Sequence, residues 1–242
     1  MKWLLTVGFI FWFGFIFAQE EDELYCAQKF SGSENIQKVR VNMDIDSSGK
    51  VGLDIKWVFP RLKAEQDSLL LEMKKSESER HKWILDHVAC GKLELKNFRF
   101  FESEGDEVQE IGYEIKGTLS GFCRKIGDRL FFSPFSFSGI KNLRLSPGEE
   151  EVRYPVAQKD TISVRIPEGY VVEMGISPVF LYSPYGEYST EISCFKDNLY
   201  LKRNFVLNAG VYPKEAYESF QLFIQQVQLQ DRLQFVLKPQ NK

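Results

Sequence analysis

Histidine is almost missing from this chain, with His81 and His87 the only two in 242 residues. They stand six apart, whereas a zinc-binding helix presents two histidines at i and i+4, so no metal site is expected. Cysteine is equally sparse, and the wide spacing of Cys26, Cys90, Cys123 and Cys194 fits neither a zinc knuckle nor a C-x-x-C redox pair. An even count in an oxidising compartment permits two disulfides in three connectivities. Reduced, buried thiols are the other reading of the same four residues. No Gly-x-Ser-x-Gly elbow and no glycine-rich phosphate loop occurs. No cofactor is expected.

Charge of one sign is lacking too. Thirty-one Lys and Arg face thirty-four Asp and Glu, for a formal net charge of −3. Without a basic cluster there is no source for the counterion release that drives nucleic-acid binding, and nucleic acid is excluded as a partner class.

Long apolar runs are missing except one. Met1-Lys2 precede an uncharged block from Trp3 to Phe17, then Ala18 stands before the acidic run Gln19-Glu20-Glu21-Asp22-Glu23. The order of charge, apolar block and small residue is that of a secretory signal peptide over 1–18, and the block falls short of the ~20 apolar residues of a membrane span. Export to the periplasm, cell surface or medium is expected, with no membrane attachment after cleavage. Cys26 follows Glu23-Leu24-Tyr25 rather than a lipoprotein-type Leu-x-small segment.

Past an acidic and polar stretch at 19–35, the pattern is mostly of period two. Val39, Val41, Met43 and Ile45 alternate, then Asp46-Ser47-Ser48-Gly49-Lys50 interrupts, then Val51, Leu53, Ile55 and Trp57 alternate again, which reads as a hairpin. Asp44 to Gly49 resembles the first half of a calcium loop, but Ile55 stands where the bidentate carboxylate belongs. A solvated hairpin tip is the expectation. Ser76-Glu77-Ser78-Glu79 has capping-box spacing before Trp83, Ile84, His87 and Val88, predicting helices near 66–74 and 77–89. Strands resume through Leu93-Glu94-Leu95, Val108 to Lys116 and Arg129 to Phe132.

A polar loop from Ser138 to Tyr154 divides a β-rich part with a helical insertion, 36–150, from a β-sandwich part, 151–242; a single domain made of both parts is the alternative. Strands are expected near 160–166, 170–174, 179–182, 187–195 and 198–207. A helix follows from Pro213, a residue suited to a first helical turn, to about Gln230, and a last strand from Leu233 to Leu237. The fold class is mainly β, an antiparallel β-sandwich with one or two helices between strands and a C-terminal helix.

Two aromatic clusters are the remaining chemical signal. Tyr182, Tyr185 and Tyr188 in one turn, and Phe135 and Phe137 in the run from Phe131, are the candidate ligand-binding residues if they are exposed, since apolar rings at a surface mark binding sites; core packing explains them equally. His87 and Cys90, three apart, raise a further reading as a cryptic Cys-dependent hydrolase.

The order Arg153-Tyr154-Pro155-Val156, then Asp160-Thr161-Ile162-Ser163-Val164-Arg165-Ile166-Pro167-Glu168-Gly169-Tyr170, then Tyr212-Pro213-Lys214-Glu215-Ala216-Tyr217 resembles the C-terminal β domain of unknown function that follows the transglutaminase-like domain in exported proteins of Bacteroidetes-type bacteria. The resemblance runs over about 150–238 and extends toward 36. It departs at Glu173 to Pro178, where that family has an earlier proline. No segment matches the family's Cys-His-Asp catalytic core, so no catalytic residue is carried over. What the resemblance implies is a non-catalytic accessory module of the cell envelope whose partner is another envelope protein, such as a separately encoded transglutaminase-like or protease-like protein. A carbohydrate-binding module with a glycan partner is the alternative.

Overall fold

The computed structural model describes residues 36–60, 64–88, 92–104, 109–137, 151–152 and 155–240. The expected signal peptide, the acidic stretch, Cys26, Cys90 and most of the loop from Ser138 to Tyr154 lie outside these residues.

In chain order the elements are β1 (Ile36–Ile45), β2 (Val51–Pro60), α1 (Ala64–Met73), α2 (Glu77–His87), β3 (Lys92–Glu104), β4 (Gln109–Ser120), β5 (Arg124–Ile126), β6 (Arg129–Phe132), β7 (Glu151–Val152), β8 (Val156–Arg165), β9 (Tyr170–Met174), β10 (Phe180–Ser183), β11 (Gly186–Phe195), β12 (Asn198–Leu207), β13 (Gly210–Val211), α3 (Tyr217–Asp231) and β14 (Phe235–Pro239). Single-turn 3₁₀ helices cover Pro134–Phe137 and Lys214–Ala216. Pro213 stands in extended backbone just before the second of these, one turn ahead of α3.

Local chemistry accounts for the element ends. The β1–β2 turn closes because the Asp46 carboxylate accepts from the backbone N–H groups of Ser48 and Lys50, at 2.8 and 3.0 Å, so the calcium-like stretch is a hydrogen-bonded hairpin tip. Ser76 caps α2 through a reciprocal capping box with Glu79, which satisfies two backbone donors left free at a helix start.

Eight strands form one sheet in the order β10-β11-β12-β8-β1-β2-β4-β3, four more form a small sheet in the order β5-β6-β14-β9, and β13 pairs with β7. The architecture is mainly β and sandwich-like, as the alternation predicts. It differs from a purely antiparallel sandwich at one seam. β1 runs parallel to β8, from Ile36 opposite Ala157 to Asp44 opposite Arg165, so the large sheet is mixed. The same seam carries the sheet across the division expected near residue 150.

Alternation on each strand gives the large sheet two unlike faces. One buries Val41, Ile55, Ile115, Ile162 and Leu201 against Leu130, Phe132, Phe235 and Leu237 of the small sheet and Ile84 of α2. Beyond β8 that face is covered by α3, whose Phe220, Phe223, Ile224 and Val227 pack with Tyr188 and Phe205. The opposite face is charged and solvated, with ion pairs such as Arg99–Glu114 at 2.6 Å and Lys202–Glu191 at 3.0 Å. No described helix is long and apolar enough to cross a membrane.

Candidate functional site

The five aromatic candidates separate. Phe135 and Phe137 belong to the 3₁₀ turn after β6 and are buried, Phe137 stacking on Phe122 at 5.4 Å. They are core residues, which corrects their reading as a strand-edge or loop binding patch. The tyrosine trio is divided by the hairpin that carries it. Pro184 and Tyr185 form the two-residue turn between β10 and β11, so Tyr182 pairs with Glu187 and Leu181 with Tyr188. Cross-strand partners share a face. Tyr182 therefore points to the solvated face and is 73 % exposed, while Tyr188, beside Leu181, points inward and is fully buried.

Tyr185 turns under the sheet as well. Its hydroxyl donates to the Ala216 carbonyl at 3.3 Å and meets the Ser219 hydroxyl, and its ring packs edge-on against Tyr212 and Phe220. Tyr182, Tyr185 and Tyr188 thus share no surface, and the burial of Tyr185 and Tyr188 rules out a sugar platform built from all three. Tyr182 has a different companion. Phe180, two residues before it on β10, faces the same way and is 66 % exposed.

β10 is the last strand of the large sheet, so its outer edge has no strand beside it among the described residues. Across β11 and β12 the same face carries Ser189, Asn204 and the Glu191–Lys202 pair, then the exposed rings of Phe195 and Tyr200. Ser193 lies opposite Tyr200, which makes Phe195 and Tyr200 diagonal neighbours. This face thus carries two separate pairs of exposed rings, Phe180 with Tyr182 and Phe195 with Tyr200, with polar and charged side chains between them.

Directly beneath, on the buried face, lies a polar cluster. Arg203 of β12 donates to Asp231 of α3 through Nε at 2.7 Å and through its second terminal nitrogen at 3.0 Å, and to Asp160 of β8 at 3.0 Å. Tyr188 donates to Asp231 at 2.9 Å, and Gln158 to Asp160 at 3.0 Å. The guanidinium lies over the Tyr188 ring at 5.2 Å. Burial pushes the Asp160 carboxyl up to about 6, with the nearby Asp231 charge adding to that and Arg203 and Gln158 opposing it. Burial works against the guanidinium's charge, yet the two carboxylates outweigh it and hold Arg203 above its ordinary value. The Tyr188 phenol is raised by burial and then by Asp231. The cluster is satisfied and sealed, so what it does is fix α3 against the sheet.

Among the described residues, neither Cys123 nor Cys194 is bonded to a histidine. Cys123 is buried and Cys194 exposed, and both are free thiols, so no disulfide uses either. Burial, helped by the Asp46 charge, pushes the Cys123 thiol up to about 11. His87 stacks on Trp83 at 3.8 Å and His81 meets the edge of Phe98. The proposed partner of His87, Cys90, lies outside the described residues.

Residues 128–237 match the family described as a domain of unknown function with solved structure, DUF3858. The DUF3858 stretch opens just before β6 and ends in β14, so it holds the small sheet except β5, the β8–β12 half of the large sheet, and α3. Phe180, Tyr182 and the Arg203 cluster all fall within it. The strand that continues the large sheet beyond β8 is β1, which lies outside the DUF3858 match. No curated protein matches the chain.

Proposed function

We propose that this chain is a non-catalytic, exported accessory module of the cell envelope, and that the ring-bearing edge of its large sheet docks another envelope protein. The carrying observation is the pair Phe180 and Tyr182, 66 % and 73 % exposed on a terminal strand. A terminal strand offers unpaired backbone donors and acceptors, which natural proteins keep short or shield; β10 is short, and its two exposed rings supply apolar anchors beside that edge. Strand addition at an edge gives affinity through the main chain and specificity through alternate side chains. Tyrosine is enriched among binding hot spots.

Export is supported by the order of charge, apolar block and small residue over 1–18. The resemblance of residues 150–238 to the domain following a transglutaminase-like domain supports a transglutaminase-like or protease-like partner encoded separately. The absence of a matching Cys-His-Asp core in the sequence supports a non-catalytic role. The test is co-purification from envelope extracts with the intact chain and with a Phe180→Ser/Tyr182→Ser chain. Recovery of such a partner by the first and not the second is the expected result. Equal recovery by both would overturn the docking site.

A second reading has its own observation. Phe195 and Tyr200 flank Ser193 on the same face, and rings beside a hydroxyl group suit a glycan. Glycan binding lost on Tyr200→Ala, with no protein recovered, would establish it in place of the first.

A further inference from the structure

The two faces of α3 share one spacing. Phe220, Phe223, Ile224, Val227 and Asp231 face the sheet. Shifted by two residues, Leu222, Gln225, Gln226 and Leu229 face solvent. Two residues at 3.6 per turn is a rotation of about 200°, so the second stripe lies nearly opposite the first. The outer stripe is not an ordinary solvated one, because Leu222 is 57 % and Leu229 60 % exposed. From Ser219 to Gln230 the helix carries no charged residue at all. A surface helix normally sets charge opposite its buried face.

Charge returns only at the two ends of this stripe, and with opposite sign. Glu218 stands one turn before Leu222, and Arg232 three residues after Leu229; both are exposed. Neither has an ion-pair partner among the described residues. Glu218 and Arg232 lie about 21 Å apart along the axis at 1.5 Å per residue, and Gln225 sits midway between them.

We propose that α3 pairs with α3 of a second copy of this chain, antiparallel, about a two-fold axis through Gln225 and Gln226. An isologous contact requires a patch complementary to itself, and this stripe meets that condition at each level. Leu222 comes opposite Leu229 of the partner subunit. The central glutamines, whose amides both donate and accept, meet each other. Glu218 comes beside Arg232 of the partner subunit, and the relation repeats at the other end. A parallel pairing would set Glu218 against Glu218. An acidic or basic partner would find no counter-charge along the middle of the helix.

The paired helices lie on the buried side of the large sheet, so Phe180 and Tyr182 on its other face remain open in both copies. A dimer therefore presents two docking edges, and two linked sites raise avidity with no new contact. One helix pair buries less than the ~800 Å² per partner of a standard interface, which makes the association concentration-dependent.

Sedimentation equilibrium of the mature chain from about 10 μM to about 1 mM, a span that covers weak dimers, tests the proposal. The wild-type chain is expected to dimerise within that range. Leu229→Glu is expected to weaken the dimer at least tenfold, as are Glu218→Arg and Arg232→Glu singly, and the double charge reversal is expected to recover it. These positions are exposed, and circular dichroism and a thermal melt would show each variant folded. A wild-type chain monomeric at the highest concentration would overturn the proposal. So would a dimer indifferent to Leu229→Glu, or single charge reversals that the double variant fails to rescue.

Discussion

Arg203 and Asp160 lie directly opposite one another on β12 and β8, and their buried side chains meet at 3.0 Å on the apolar face of the sheet. Asp231 reaches the same guanidinium from α3 at 2.7 Å. Two carboxylates therefore depend on one cation inside the fold. Removing one partner of a buried ion pair costs about 3–5 kcal/mol because the remaining charge is stranded. Arg203→Leu strands two, and urea denaturation should show a loss at or above the top of that range. Arg203→Lys should recover little, since an ammonium cannot reproduce the paired bonds to Asp231.

The same cluster sets a pH dependence. Asp160 has a folded value raised to about 6 from 3.8, so the folded state binds its proton more tightly than the unfolded chain does. The stabilisation from that proton is fully present below about 4 and is lost as pH rises through 6. The groups facing Asp160 are Arg203 of β12, Gln158 of its own strand and Asp231 of α3. Two carboxylates outside that cluster act oppositely: Glu114 is held low first by its bond from Arg99, and Glu173 by its bond from Arg129. Their stabilisation fades as pH falls through their lowered folded values. Thermal melts should accordingly show higher stability near pH 5 than at pH 8. Asp160→Asn should flatten that slope while leaving the Arg203–Asp231 pair in place.

Much of this fold is written locally. β1, β2, β8 and β12 each alternate apolar and polar residues, and Ser76 with Glu79 announces the start of α2. The parallel seam was not readable, because it joins Ile36–Asp44 to Ala157–Arg165 across a separation that no local pattern records. The division of the tyrosines was readable in principle: once Pro184-Tyr185 is placed as a two-residue turn, antiparallel pairing sends Tyr182 and Tyr188 to opposite faces. The ion cluster also left a signal. Arg203 shares parity with Leu201 and Phe205, and Asp160 with Ile162 and Val164, so each is a charge on an otherwise apolar face. Pairing them needed the register of β8 with β12, which only the assembled sheet supplies.

Gly186 holds the tyrosine hairpin in shape. Its φ is +157°, and a Cβ there would come 2.0 Å from the Val206 carbonyl oxygen of β12. Backbone cannot yield as a side-chain tip does. Gly186→Ala should cost about 1–3 kcal/mol, the range for forced overpacking, and should raise amide exchange through β10 and the first residues of β11. Gly121, whose added Cβ would meet nothing within 4 Å, is the comparison: Ala there brings φ strain at +80° but no clash, and should leave β10 protected.

The thiols should react in a fixed order. Cys123 is 5 % exposed and its thiol is pushed up to about 11, so little thiolate exists at neutral pH and little reagent reaches it. Cys194 is exposed at the open end of β11, its thiol donating to the Lys196 carbonyl at 3.7 Å. Brief alkylation of the native chain at pH 7.5, read by peptide mass spectrometry, should modify Cys194 and spare Cys123 until denaturant is added. Early modification of Cys123 would mean that the β1–β2 turn, whose Gly49 lies under the Cys123 carbonyl, opens far more readily than its hydrogen bonds to Asp46 imply.

The docking edge predicts a separation between stability and binding. Phe180 and Tyr182 lie on solvent, and substitutions at such positions usually change stability by no more than about 0.5 kcal/mol. Tyr188, on the neighbouring strand, is buried with its hydroxyl on Asp231, and losing a hydrogen bond to a charged group costs about 1.5–3 kcal/mol. Phe180→Ser and Tyr182→Ser should therefore melt with the wild-type chain and lose the partner, whereas Tyr188→Phe should melt earlier and keep it wherever it remains folded. Paired melting and pull-down measurements on the three variants read both quantities. A Tyr182→Ser chain that melted early would mean that its ring supports the sheet rather than presenting a surface, and the docking edge would have to be sought at Phe195 and Tyr200 instead.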